Sequence, residues 1–163
     1  MKKVLLTSIL FCLYIEVFSQ AEVFIIRHAE STSATDHSPL ISTGFIRSYK
    51  LESLFSKSKI TRIFITNTLR SKQTAEPLWR SIGGTPNQMV IYNSYAHLRT
   101  LIASDIAAGR RILIVGHSNT VPQIISALGV APPILPDLNG NDDLFEVIYR
   151  GVNRELIHLK YGL

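Results

Sequence analysis

Cysteine is nearly absent from this chain of 163 residues: it holds one, Cys12. A single thiol forms no disulfide within the chain and builds no cysteine-rich metal site. Runs of like charge are missing too. The chain carries 17 basic and 12 acidic residues, a formal charge of +5, but the basic side chains are scattered, and past residue 20 Arg110 and Arg111 are the one adjacent basic pair. That distribution does not indicate a nucleic-acid groove; the mild positive excess suits a small anionic substrate and equally suits no particular partner. The longest apolar run, Val4 to Tyr14, falls short of the ~20 residues that span a bilayer, and Glu16 soon follows it. Lys2 and Lys3 precede the run, and Ser19 and Gln20 close it, which is the grammar of a signal peptide. The expectation is a signal over 1–20 and a domain over 21–163, exported to the periplasm or secreted, with no membrane attachment after cleavage. Leu10 and Phe11 ahead of Cys12 are too large for a lipid-anchoring signal. Removal of the signal leaves a domain with no cysteine nucleophile, so its chemistry rests on other groups.

At 46% hydrophobic residues the chain supports one core, and the remainder reads as strands alternating with helices. Val23–Ile26, Arg62–Thr66, Val90–Tyr92 and Arg111–Val115 are short runs rich in β-branched residues. Between them, Phe45, Ile46, Tyr49, Leu51, Leu54 and Phe55 recur at helical spacing behind Ser42 and Thr43, which are suited to capping; Gly44 weakens that helix. Leu69–Ile82 is a second helix with Pro77 predicting a kink or early break, Ala96–Ala108 a third, and Val121–Leu128 a fourth ending at Gly129. Ala131–Asp143, with Pro132, Pro133, Pro136, Asn139 and Gly140, is a loop, and Leu144–Tyr149 with Glu155–Leu159 form a hairpin through Gly151. The fold class predicted is α/β: a three-layer α/β/α sandwich with a mostly parallel central sheet and an antiparallel edge hairpin near the C-terminus.

Ligands in such sheets bind outside the carboxyl ends of the strands. Arg27 and His28 follow the first strand, Arg70 lies just past the second, and His117 follows Arg111–Val115. Two arginines and two histidines from separate segments therefore converge on one sheet edge. Guanidinium groups donate paired hydrogen bonds to a phosphoryl group and keep their charge. Beside them an imidazole loses affinity for its proton, and the neutral form is the nucleophile.

The residues Ile25, Ile26, Arg27, His28, Ala29, Glu30 resemble the Arg-His-Gly signature of the histidine phosphatase superfamily, with Ala29 in place of glycine. Ile65 to Leu78, containing Arg70 and then Gln73, Thr74 and Ala75, is similar to the segment holding that family's second arginine. Leu113 to Val121, with Gly116, His117 and Ser118, is similar to its second-histidine segment, and Pro39, Leu40, Ser42 and Gly44 resemble its turn into the first helix. The three main blocks stand in family order, and the resemblance spans about Val23 to Leu128. It implies a phosphoglycerate-mutase-like fold, transient phosphorylation of His28, and phosphoryl binding by Arg27, Arg70 and His117, without metal or other cofactor. The Ser118 amide, at a helix start, is a further oxygen contact.

One departure concerns the proton donor. Many relatives carry a carboxylate between the second arginine and the second histidine, whereas Met89–Leu101 contains none; Asp105 and Glu76 fall outside the expected place. The small phosphohistidine-phosphatase-like branch also lacks an obvious acid. A substrate whose leaving group needs little protonation, a phosphoramidate or an activated phosphomonoester, suits such a site. Two other readings stay open. One is a non-catalytic phosphate-binding relative. The other is a serine hydrolase using Ser118 after Gly116 and His117, although Thr120 stands where a nucleophile elbow wants glycine. His37, His97 and His158 lack comparable contexts and read as structural.

Overall fold

The computed structural model describes residues 20–132 and 140–162; the expected signal segment up to residue 19 and the middle of the proline-rich loop lie outside the described residues. Its framework follows from strands that have no polar face. β1 (Ala21–Arg27) is buried from Ala21 through Ile26, and β4 (Arg111–Gly116) from Ile112 onward. Strands buried on both sides belong inside a parallel sheet covered by helices above and below. With β2 (Ile60–Ile65), β3 (Met89–Ile91), β5 (Asp143–Arg150) and β6 (Asn153–Lys160) they form one six-stranded sheet in the order β3-β2-β4-β1-β5-β6. The first four pair in parallel, while β5 joins β1 and β6 joins β5 in antiparallel.

The alternation of side chains along each strand divides the core in two. Val23, Ile25, Phe64, Ile112 and Ile114 pack with Leu98 and Ile102 of α3 (Tyr95–Ala107) and with Val121, Ile124 and Ile125 of α4 (Val121–Ala127). Phe24, Ile26, Ile63, Ile65, Leu113 and Val115 pack with Leu51 and Phe55 of α1 (Ser42–Phe55) and with Ala75 and Leu78 of α2 (Leu69–Ser81). The result is the three-layer α/β/α sandwich with its antiparallel hairpin at one edge. Each fully buried aliphatic side chain adds roughly 1.5–3 kcal/mol of transfer free energy.

Local differences from the sequence reading have identifiable causes. α1 starts from Ile41 with no side-chain cap, so Ser42 and Thr43 do not serve. Its buried face is Gly44, Arg47, Ser48, Leu51 and Phe55, leaving Phe45, Ile46, Tyr49 and Leu54 exposed. The helix is turned this way because Gly44 packs directly on the Glu30 backbone: a Cβ there would lie 2.2 Å from the Glu30 carbonyl oxygen. Gly44 thus permits a close approach that outweighs its low helix propensity. α2 runs through Pro77 to Ser81, since Leu78 on the next position is fully buried and anchors the last turn. Gly83 and Gly84, both at positive φ, then end it, with the Gly84 N–H bonded to the Trp79 carbonyl at 2.9 Å.

The register brings the strand ends level. Arg27 pairs with Gly116, and Ile65 with Val115, so β1, β4 and β2 all finish at one edge of the sheet.

Candidate active site

Arg27 closes β1 and His28 takes the next position, where its backbone N–H donates to the Gly116 carbonyl at 3.0 Å. His117 follows Gly116 directly, and the two imidazole rings meet edge to face with centroids 5.1 Å apart. Arg70, in the first turn of α2, points its Nη2 at His117 Nδ1 (3.4 Å), while Nη1 donates to the Thr35 carbonyl. His28 and Arg70 are almost enclosed, at 7% and 6% exposure. Arg27, His28, Arg70 and His117 all line a single cavity of about 570 Å³. Four side chains chosen from three separate sequence blocks therefore share one space large enough for a phosphoryl group and part of what it is attached to.

Hydrogen bonds fix the state of both rings. His28 Nδ1 lies 2.7 Å from the Ala29 carbonyl oxygen, an acceptor only, so Nδ1 carries the proton and Nε2 keeps its lone pair. In His117, Nδ1 faces the Arg70 guanidinium, a donor only, so the proton sits on Nε2 and is donated to Thr66 Oγ1 at 2.9 Å. Thr66 in turn contacts the Ser71 hydroxyl at 2.8 Å. Burial is the largest influence on both rings. It pushes the His28 imidazole down to about 4, with His117, Arg70 and Arg27 assisting and the Ala29 bond opposing. His117 is likewise lowered to about 4 by burial and by Arg70, with Asp36 opposing. Burial also lowers Arg27, aided by Arg70 and opposed by Glu30.

These shifts predict that both rings are neutral through the physiological range and titrate near pH 4 in an NMR titration of the phosphate-free protein; midpoints near the ordinary 6.5 would contradict the geometry. Between those values the unfolded chain takes up protons that the folded chain refuses, so the two histidines make stability fall as pH drops from 6.5 toward 4.

The supporting residues were less visible in the sequence. Thr74 accepts from the Ala29 N–H at 2.9 Å and donates to the Arg70 carbonyl at 2.7 Å, tying the His28 turn to the Arg70 helix. Gln73 accepts from the Leu40 N–H at 2.8 Å and so holds the end of the 31–40 loop, whose Ser31, Ser33 and Ala34 border the cavity. Glu30 lines the cavity as well, gripped by Arg47 Nε at 3.0 Å to each carboxylate oxygen and by Nη2 at 2.6 Å. Burial pushes its carboxyl up, but the Arg47 bonds prevail and hold it below its usual range. Such a carboxylate is an anchor and not a proton donor. A sequence signal existed for this pair only in the shared helix face of Gly44 and Arg47.

Ser118 borders the cavity, but it lies in a turn three residues ahead of α4, so its amide is not at a helix start. Asp105 is fully buried between Arg62 (2.7 Å) and Arg110 (2.8 Å), far from the role of an acid, and Glu76 pairs with Arg80 on the surface of α2. His158 bonds Asp143 at 2.7 Å and stacks on Phe145, as befits a structural histidine. Asn141, just ahead of β5, also reaches the cavity. Among the described residues no cluster of three or more metal-ligating side chains occurs.

Solved structures share this architecture. A protein histidine phosphatase, SixA, complexed with tungstate superposes with a TM-score of 0.65 at 21% identity, over 86% of this chain and 97% of that one. A phosphoglycerate mutase from Bacillus anthracis gives 0.62 at 10% identity, over 86% and 93%. A mycobacterial glucosyl-3-phosphoglycerate phosphatase gives 0.57 at 15% identity, over 79% and 90%. No family model matches the sequence, and no curated protein matches it. The chain has the fold these solved proteins share, a phosphoglycerate-mutase-like α/β/α sandwich.

Proposed function

We propose that this protein is an exported phosphatase that transfers a phosphoryl group to His28 and then to water. The observation that carries this reading is the convergence of a neutral, Nδ1-protonated His28 with two guanidinium groups and a second imidazole around one cavity. His28 Nε2 attacks phosphorus, and the bond to the leaving group breaks with its electron pair. Arg27 and Arg70 hold the equatorial oxygens, whose charge must be stabilised in the transition state. His117, placed against His28 and Arg70, contacts the same group. Water then attacks the phosphohistidine, releasing inorganic phosphate and restoring Nε2. The likeness to a phosphatase solved with tungstate, a tetrahedral oxyanion, supports the same use of the cavity here. Export rests on the sequence of residues 1–20 alone.

Glu30, the carboxylate among the described residues that line the cavity, is committed to Arg47, which favours substrates whose leaving group departs with little protonation. A phosphoramidate or an aryl phosphomonoester meets that condition better than an alkyl phosphate. The test is a series of aryl and alkyl phosphates offered to the domain, with rates plotted against the acidity of the leaving group. A steep rise with acidity, unchanged by chelators, is expected. Saturable phosphate binding with no hydrolysis of any compound would establish a binding protein instead.

A further inference from the structure

The peptide unit joining His28 to Ala29 is held at both ends by side chains from distant parts of the chain. Its N–H donates to Thr74 Oγ1 at 2.9 Å, and its C=O accepts from Asn141 Nδ2 at 2.6 Å. Asn141 arrives there through the antiparallel register of β5 on β1. Ile26 pairs with Leu144, and continuing past that pair carries His28 alongside the residues just ahead of β5. The backbone at that point is itself fastened. The Asp142 carbonyl accepts from the Tyr161 N–H at 2.9 Å, and Lys160 Nζ reaches Asp142 at 3.0 Å and Asp143 at 2.8 Å. His158 adds a contact to Asp143 at 2.7 Å.

We propose that Asn141 is a positioning residue for the nucleophile: by gripping the His28 carbonyl opposite Thr74 it fixes the 28–29 peptide plane, and with it the carbonyl that selects the tautomer of His28. A peptide plane clamped at both ends leaves ψ of His28 and φ of Ala29 little freedom. Together with ψ of Ala29, those two angles set where the Ala29 carbonyl points, and that carbonyl is the acceptor 2.7 Å from His28 Nδ1. A ring so held offers Nε2 to the cavity. A ring released from it populates the other tautomer, in which Nε2 carries the proton and is no nucleophile. An amide is required at position 141 because the partner is a carbonyl: a carboxylate of the same shape has no proton to donate, and it brings an anion to a phosphate cavity.

This inference rests on His28 being the nucleophile, and its test separates the two. In the whole protein with ¹⁵N-labelled histidine, Asn141→Ala and the isosteric Asn141→Asp are each expected to add signal from the Nε2-protonated form of His28. Single-turnover phosphorylation of His28 by an aryl phosphate should slow by roughly tenfold to a hundredfold, with KM changed far less. Thr74→Val, which frees the other end of the clamp, should give the same tautomer change, and Thr74→Ser should restore the wild-type spectrum. Unaltered tautomer and rate in both Asn141 variants would overturn the proposal. The tautomer readout needs no turnover, so an inactive wild-type protein would count against the phosphatase reading and leave the positioning role to be judged on the spectra.

Discussion

His28→Ala is expected to abolish turnover, cutting kcat/KM by roughly 10⁴- to 10⁶-fold, the scale seen when a covalent nucleophile is removed. The size follows from the arrangement. His28 is the ring whose Nε2 is left with a lone pair by the bond from Nδ1 to Ala29, whereas His117 has its Nε2 proton committed to Thr66 and its Nδ1 turned toward Arg70. The second imidazole is thus held in the wrong orientation to stand in for the first. The substitution leaves the sheet intact, because the His28 backbone bonds to Gly116 and Asn141 do not involve the ring. Circular dichroism of the variant should match the wild type while steady-state assays show no hydrolysis. Equal activity in the two proteins would refute the mechanism.

Arg70→Ala is expected to lower kcat/KM by roughly 10²- to 10³-fold, the cost of losing one fixed donor to developing phosphoryl charge. Arg70→Lys should recover little, because a point charge does not reproduce the planar fork. The variant carries a second signature with a definite sign. The Arg70 charge helps to lower both His28 and His117, so its removal should move both titrations upward from about 4. The acidic limb of the NMR titration would then shift toward neutrality in Arg70→Ala and stay in place in a surface control such as Arg80→Ala, whose side chain pairs with Glu76 away from the cavity. Activity within threefold of wild type, with unmoved titrations, would show that Arg70 lies outside the phosphoryl site.

Much of this site is legible in sequence because its parts sit at strand ends. Arg27 and His28 after one apolar run, and His117 after another, are placed by periodicity and by the rule that parallel sheets bind ligands at their carboxyl edge. Arg70 is found by its block and not by periodicity, since a single arginine in an amphipathic helix has no local mark of function. The supporting bonds are invisible for another reason: they depend on partners far apart in the chain. Thr74 meets Ala29 across 45 positions, and Asn141 meets His28 across 113. Arg47 looks like a surface residue until the rotation of α1 is known, and that rotation is set by the contact of Gly44 with Glu30. The same rotation explains why Phe45, Ile46, Tyr49 and Leu54, at helical spacing in the sequence, face outward in the fold.

The central claim is that phosphorus becomes bonded to His28, and rapid acid-free quenching of a single turnover with a ³²P-labelled aryl phosphate tests it most directly. Label is expected on the peptide containing His28, stable to base and released by acid, at a level approaching one per chain before free phosphate appears. Release of phosphate with no labelled protein at any time, or label on Ser118 or His117 instead, would contradict it.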